Sequence, residues 1–300
     1  MRAPEEARPA PLPAAHPALS PRDFARLSAF IEARYGIHLP PGKRILLEAR
    51  LGKRVRELGL SGFEAYCDRV LGGAAGDELL LLVDRVTTHK TEFFREPAHF
   101  EVLVRTALPA LRPPGAAHPE PLRLWSAGCS TGEEPYTLAM VLAEAAASGA
   151  LRDRFAFELL ATDVSPGVLR TAEEGVYTEA LVCPVPLPLR RRWLLRSVAD
   201  ENVVRVRRAL RERIHFRPLN LLDADYGIRE PMDVIFCRNV LIYFERALQL
   251  AIVERLVQVL APGGFLFLGH SETLQGAPFP LEPIAPTVYR RTAAGRRGRR

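Results

Sequence analysis

Between residues 20 and 90, hydrophobic positions recur at the spacing of amphipathic helices. Ser20 and Pro21 form a helix start, as N-cap and first-turn proline, and an apolar stripe follows over residues 24–31. A second helix starts at Gly42, with its apolar positions at Leu47, Leu51, Val55 and Leu58. Two more helices are predicted at residues 63–71 and 77–86. These segments predict a small all-helical domain over residues 20–90.

Beyond residue 115 the pattern changes to short apolar strands that alternate with helices. A helical stretch ends near Leu111, and the Pro-Pro-Gly of residues 113–115 breaks the chain. Strands are predicted at 122–127, 155–162, 214–221, 234–237 and 265–269, with helices at 133–147, 165–175 and 247–260, the last ended by the Pro-Gly-Gly of 262–264. The alternation predicts an α/β fold with a mostly parallel sheet and helices on both faces. Residues 176–213, with three prolines, depart from it and are interpreted as an insertion.

The composition narrows the class of protein. Hydrophobic residues make up 48% of the 300, which is typical of a globular chain. No apolar run approaches the ~20 residues of a spanning helix, and the Pro/Ala-rich residues 1–19 lack the apolar region of a secretory signal, so they are expected to be a disordered leader. The four cysteines are far apart, without a CxxC pair, and indicate reduced thiols. We therefore expect a cytoplasmic protein.

The net charge does not require a nucleic-acid-binding protein, and the histidine spacing does not indicate a metalloenzyme. The net charge of +6 owes much to a basic tail over residues 291–300, so the charge does not require a nucleic-acid partner. The seven histidines lack a zinc-binding spacing, and we expect no catalytic metal.

The strongest local signal is residues 122–135, where a strand leads through a small-residue loop into a helix. Gly128 and Gly132 permit unusual backbone angles and close approach of a ligand, and a helix start near Glu133 offers free N–H groups. Such a loop can hold a nucleotide-like cofactor, with a tight structural turn as the alternative. It is neither GxGxxG nor a Walker loop. Glu133 and Glu134 would repel a pyrophosphate but tolerate a cofactor that carries positive charge.

Three further positions could contact such a cofactor. Asp163 ends the second strand, where an acid can accept both ribose hydroxyls; a helix cap is the alternative, although Ser165 already fills that role. Thr91 and Arg95 would share a helix face, and Arg95 could hold a carboxylate bidentately or be merely solvated.

Past the fourth strand, Arg238 and Asn239 stand where α/β proteins place ligand contacts. Tyr243 offers a hydroxyl near the same edge, with packing as the alternative.

Together these segments resemble the CheR family of chemotaxis receptor methyltransferases. The matching stretches, in the family's order, are TTHKTEFFRE, WSAGCSTGEEPY, LLATDVS, NLL at 220–222, FCRNVLIYF and FLGHSE at 267–272. The resemblance implies an N-terminal helical domain over 20–90, an interdomain segment over 91–115, and a class I (Rossmann-like) methyltransferase domain over 116–290. It also implies that 176–213 is an inserted antiparallel β subdomain.

The resemblance further implies S-adenosyl-L-methionine as the cofactor. The residues implied to bind it are His89, Thr91, Arg95, Gly128, Glu133, Asp163, Asn220, Leu221, Arg238 and Asn239. Tyr243 and Arg238 are the catalytic candidates for holding the substrate carboxylate, although Arg238 could instead serve structure. The implied reaction is methyl transfer to glutamate side chains in the cytoplasmic helical region of chemotaxis-type receptors, by a monomer.

Three rival classes of protein would have different sequence features. A methyltransferase with another substrate would share the glycine loop but would not need TTHKTEFFRE. A nicotinamide dehydrogenase would need GxGxxG, and a non-catalytic binding module would not need intact site residues. The basic positions at 43–56 could steer an acidic receptor or be a solvated helix face.

Two features depart from the family. His89 stands where Asn is common, and an imidazole replaces only one hydrogen bond of an amide. Residues 196–203 lack the glycines of members that dock on a receptor's C-terminal peptide, so we do not expect peptide tethering.

Overall fold

The computed structural model describes residues 18–72, 76–113, 120–147, 156–274 and 276–292. The chain divides into two compact units, Met1–Phe30 with Leu39–Val86, and Ile31–His38 with Thr87–Arg300. The predicted leader and basic tail lie almost wholly outside the described residues. Within those residues, no helix is both long and apolar enough to cross a membrane.

The first unit is helical. Its helices are α1 (Pro21–Tyr35, of which residues 31–35 belong to the second unit), α2 (Arg44–Glu57), α3 (Phe63–Leu71) and α4 (Gly76–Val86). The Ser20 hydroxyl accepts the backbone N–H of Asp23 at 3.0 Å, which confirms it as the cap of α1. On α2, Arg54 donates to the buried Glu78 of α4 at 2.7 Å, and Arg50 donates to a backbone carbonyl at 2.6 Å. Part of the positive charge on α2 therefore holds helices together.

The second unit is built around a seven-stranded mixed sheet. The strands of the unit are β1 (Leu122–Ala127), β2 (Phe157–Asp163), β3 (Val176–Thr178), β4 (Leu194–Arg196), β5 (Val203–Val206), β6 (Ile214–Pro218), β7 (Met232–Cys237), β8 (Leu260–Leu268), β9 (Leu281–Ala285) and β10 (Val288–Arg291). The order in the large sheet is β6-β2-β1-β7-β8-β10-β9, parallel except at β10 and β9.

The helices of this unit are α5 (Pro97–Val102), α6 (Leu108–Leu111), α7 (Glu133–Ala147), α8 (Pro166–Glu174), α9 (Leu187–Trp193), α10 (Arg208–Arg211) and α11 (Arg246–Val259). Of these, α7, α8 and α11 contact strands of the large sheet, whereas α9 contacts β4 and α10 contacts α7. One apolar core joins Leu124 and Phe236 to Leu138 of α7, and a second joins Trp125 and Ile235 to α11. Alternate residues of the central strands β1, β7 and β8 face opposite cores, as the period of a strand requires. The predicted α/β fold is confirmed.

The predicted antiparallel insertion is also confirmed, as a three-stranded sheet in the order β3-β5-β4. The sequence did not predict α9 within it. Pro186 is the N-cap of that helix and Pro188 lies in its first turn, where a missing N–H costs nothing.

The structure differs from the local predictions at several points. Thr91 and Arg95 do not share a helix face, because residues 91–96 are not helical and α5 begins only at Pro97. The helix predicted at 247–260 ends at Val259, but the Pro-Gly-Gly of 262–264 does not separate it from the next strand. It lies inside β8, which begins at Leu260 rather than at residue 265, and the register with β7 shifts between Met232 and Val234. The hairpin of β9 and β10 was not predicted, because its prolines and exposed positions hide the alternation of a strand.

Candidate functional site

The site follows from the strand order. β1 lies between β2 and β7, so the chain's connections turn away in opposite directions on its two sides. Ligands of parallel α/β sheets bind at such a switch point, outside the carboxyl ends of the strands. The residues that directly follow β1 and β7, together with the last residue of β2, are therefore brought to one edge of the sheet.

The loop after β1 requires its glycines. Gly128 and Gly132 have positive φ angles of 80° and 97°. A Cβ on Gly128 would lie 2.4 Å from Cγ2 of Val240, and one on Gly132 would lie 2.8 Å from the Tyr177 hydroxyl oxygen. The Gly128 N–H donates to the carbonyl of Thr162 at 2.8 Å. The two glycines thus pack closely against Val240 and Tyr177, where a side chain would not fit.

Asp163 organises this loop from β2. Its carboxylate accepts the N–H of Ser130 at 2.9 Å and that of Ser165 at 3.0 Å. Ser165 itself caps α8 through Val168, so Asp163 is not needed as the cap. Burial raises the pKa of the Asp163 carboxyl, although N–H bonds from Ser165, Ser130 and Val164 oppose the rise. A carboxylate has about four acceptor sites, so further acceptor capacity is left.

The two acids at the start of α7 are both engaged. Glu133 is buried and accepts the Thr131 hydroxyl at 2.7 Å, and burial raises the pKa of its carboxyl. Glu134 accepts the Ser126 hydroxyl and the Nε of Arg238, both at 2.7 Å. The charge of Glu134 is therefore matched within the protein by Arg238.

Arg238 is buried rather than presented at the edge. Its side chain is 2% exposed and bonds Glu134, and its Nη1 donates to the Arg95 carbonyl at 2.8 Å. Nη1 also lies 3.5 Å from Glu96, and the guanidinium stacks over Phe100 at 5.2 Å. These contacts favour the structural alternative for Arg238 over a grip on a substrate carboxylate.

His99 completes this charged cluster. Burial, with help from the Arg238 charge, lowers the pKa of His99 to about 4. The neutral ring accepts from Arg238 at Nδ1 (3.1 Å) and bonds Thr287 through Nε2 (3.0 Å). Glu96, His99 and His270 are close enough to share a metal ion. The guanidinium already in contact with Glu96 and His99 argues against a cation there.

Residues 87–96 are anchored along the same edge by backbone bonds. The carbonyl of His89 accepts the Ser130 hydroxyl at 3.3 Å, and the His89 ring bonds Thr87 at 2.8 Å. Arg95 is half-buried, with its Nη1 on the carbonyl of Lys90 at 3.1 Å. Thr91 is half-buried in the same segment. The structure thus brings the His89 backbone to the glycine loop, with Arg95 in the turn that Arg238 supports.

Asn239 and Tyr243 occupy the turn after β7. Asn239 has a positive φ of 59°, its N–H donates to Glu272 at 2.9 Å, and its side-chain amide donates to Glu96 at 3.3 Å. Tyr243 is half-buried and ends a short 3-10 helix, Leu241–Tyr243.

Asn220 and Leu221 follow β6 at the far side of β2. The Asn220 side chain donates to the Arg34 carbonyl at 2.8 Å and accepts the Leu222 N–H at 3.0 Å. Leu221 is buried, with its carbonyl engaged by Arg255. Both shape a turn, so any contact of Asn220 with a cofactor would use its remaining capacity or its backbone.

Sequence reasoning missed Glu96, His99 and Glu272 altogether, and it did not pair Glu134 with Arg238. Glu96 and Glu272 each close a quoted stretch, TTHKTEFFRE and FLGHSE, which was the available signal. The residues present fit a nucleotide-like cofactor: the glycine loop is bonded through the Ser130 N–H to Asp163, a carboxylate with acceptor capacity left.

Comparison with known proteins agrees with this geometry. The family model described as "CheR methyltransferase, SAM binding domain" matches residues 89–289, and "CheR methyltransferase, all-alpha domain" matches residues 22–87. The chain is similar to the chemotaxis protein methyltransferase of Escherichia coli, 40% identical over 273 residues, covering 91% of each chain. It is also similar to chemotaxis protein methyltransferase 2 of Pseudomonas aeruginosa, 38% identical over 275 residues, covering 89% of this chain and 92% of that one.

Proposed function

Because the chain belongs to the CheR methyltransferase family, we propose that it methylates glutamate side chains of chemotaxis-type receptors, with S-adenosyl-L-methionine as its cofactor. The observation that carries this proposal is the family match across both units, joined to a glycine loop and an acid at the switch point of the sheet. The bound cofactor supplies a methyl group on a positively charged sulfur.

The chain's own residues bind and orient. Asp163 accepts ribose hydroxyls, and the backbone around Gly128, with Glu133, lines the cofactor beside it. Arg95 and Thr91 take the carboxylate end, with His89 supporting the loop through its carbonyl. Asn220 and Leu221 flank the base.

Arg238 supports these residues as a buried side chain. Its buried guanidinium ties the Arg95 carbonyl to Glu134 of α7, and so holds the segment that carries Arg95 against the sheet. Asn239 and Tyr243 are left to contact the substrate, with the Tyr243 hydroxyl positioning the glutamate carboxylate.

The substrate itself explains the absence of a general base from this scheme. A glutamate side chain has a pKa of ~4.3 and is already an anion near neutral pH. The protein has to align the carboxylate oxygen with the methyl group and exclude water, which can lower a barrier by as much as ~7–11 kcal/mol. The proposed target is the acidic, cytoplasmic helical region of the receptor, acted on by a monomer.

The test is methyl transfer from labelled cofactor to receptor-containing membranes, followed by mild alkali. An ester is hydrolysed by alkali and releases methanol, whereas an N-methyl group stays. We expect label on receptor protein, released as methanol, and no label when the target glutamates are replaced by glutamine. Label that resists alkali, or that is found on nucleic acid, would contradict the proposal.

A further inference from the structure

Glu272 is a buried carboxylate outside the set assigned to cofactor or substrate. It is 5% exposed and lies in the turn after β8, beside the turn after β7 that carries Asn239 and Tyr243. Its own N–H donates to the carbonyl of Gly269 at 2.8 Å, which closes the turn back on itself. The side chain is thereby aimed at the neighbouring strand end.

Backbone N–H groups from both turns converge on this carboxylate. Oε2 accepts from Gly269 at 2.6 Å and Asn239 at 2.9 Å, and Oε1 accepts from Leu241 at 2.7 Å. The N–H of Ile242 also bonds Glu272. Successive N–H groups in a turn form a concavity that binds an anion. Here the anion is a side chain of the protein itself.

The surrounding space is filled, which fixes the arrangement. A Cβ on Gly269 would lie 2.6 Å from Nδ2 of Asn239 and 2.9 Å from Oε2 of Glu272. Asn239 holds a left-handed backbone angle that a non-glycine residue adopts at a cost. The bond between its N–H and Glu272 stabilises that conformation and so sets the direction of the Asn239 side chain.

The geometry points to Glu272 as a positioning residue: its carboxylate occupies the N–H concavity of the Asn239–Tyr243 turn and holds the substrate-facing residues in place. This inference rests on the proposed function for its effect on catalysis. It also implies that the substrate carboxylate binds elsewhere, because this concavity is already filled.

The direct test is Glu272→Gln. An amide has one acceptor oxygen and one donor nitrogen, so in either orientation at least one of the converging N–H groups faces another donor. We expect faster hydrogen exchange in residues 238–244 than in the wild-type protein. Asp233→Asn is the matched control, because Asp233 accepts a backbone N–H from β1 at the opposite end of β7. Its exchange change should not reach residues 238–244.

Methylation kinetics with receptor as the substrate distinguish a positioning role of Glu272 from a general effect on stability. We expect Glu272→Gln to lower kcat/KM by at least about tenfold, and Asp233→Asn to change it less than about twofold. Combined with Asn239→Ala, Glu272→Gln should cost little more than the larger single change, since residues acting through one element are not additive. Should Glu272→Gln not fold, Glu272→Asp, which retracts the charge, is expected to act in the same direction.

Unchanged exchange in residues 238–244, or fully multiplicative losses in the double variant, would overturn the inference. The exchange measurement needs no substrate. If the wild-type protein does not methylate receptor, the proposed function fails, while exchange still decides whether Glu272 holds the turn.

Discussion

At the level of single residues, Asp163 has two roles. It accepts N–H groups from Ser130 and Ser165, and in the proposed function it also accepts ribose hydroxyls. We expect Asp163→Ala to lower cofactor affinity at least about tenfold, since a bond to a charged acceptor contributes ~1.5–3 kcal/mol. Calorimetric titration measures this. Glu158→Ala, at an exposed position of the same strand, is the control. An affinity that stays at the wild-type value would remove Asp163 from the site.

The proposed role of Arg95 depends on the planar shape of its guanidinium as well as on its charge. A guanidinium can grip a carboxylate with two parallel bonds, whereas an ammonium is a point charge. We expect Arg95→Lys to weaken cofactor binding several-fold, measured by titration, with the thermal midpoint nearly unchanged because the side chain is only half-buried.

Arg238→Lys is the matched comparison for Arg95→Lys. It removes the multiple bonds of a buried guanidinium, so it should lower the thermal midpoint as well. Normal cofactor binding by the Arg95→Lys variant would make Arg95 a surface residue without this role.

His99 makes the free energy of unfolding depend on pH. Its pKa is about 4 when folded, against 6.5 for the ordinary group, so the unfolded state binds more protons between these values. The free energy of unfolding therefore falls as the pH drops from about 6.5 towards 4. Between pH 7.5 and 5 this group should account for ~2 kcal/mol of the loss.

Denaturant unfolding of the wild-type protein and of His99→Gln at these two pH values tests this contribution. The variant should lose less stability on acidification than the wild-type protein. His215→Gln, at an exposed histidine of β6, is the control. Equal pH dependence in wild type and His99→Gln would show that His99 is not the cause.

At the level of elements, the inserted sheet β3-β5-β4 bears on how a receptor is held. The connection from β4 to β5 contains Ser197, Asp200 and Asn202, which bond one another's backbone, and no glycine. We expect no useful affinity for a receptor's isolated C-terminal peptide, measured by titration against a scrambled peptide. Micromolar binding of the native peptide alone would show that the missing glycines do not matter.

Elements differ in how well the sequence predicts them. The bounds of β1, α3 and α7 were predicted to the residue, because capping, periodicity and loop glycines are local signals. The Pro-Gly-Gly in β8 was misassigned, because such residues normally end elements. Here they fit a register shift against β7, which depends on the neighbouring strand.

For the whole molecule, the order of elements sufficed to predict the architecture. Only a few topologies arrange alternating strands and helices as a parallel sheet with helices on both faces. The order β2-β1-β7 then places the loop after β1, Asp163 and the turn after β7 at one edge. Candidate positions at the ends of strands could therefore be named before any coordinates were known.

The sequence by itself determined the family, the fold class and the segments that form the site, since these follow from local patterns and their order. Only the tertiary structure decided what each charged side chain does. Arg238 lies 104 residues from Glu134 in the chain and 139 from His99. Whether such a side chain faces solvent or a buried partner is decided by packing between distant elements. The same reason hid Glu272, whose role exists only because the turns after β7 and β8 are neighbours in the sheet.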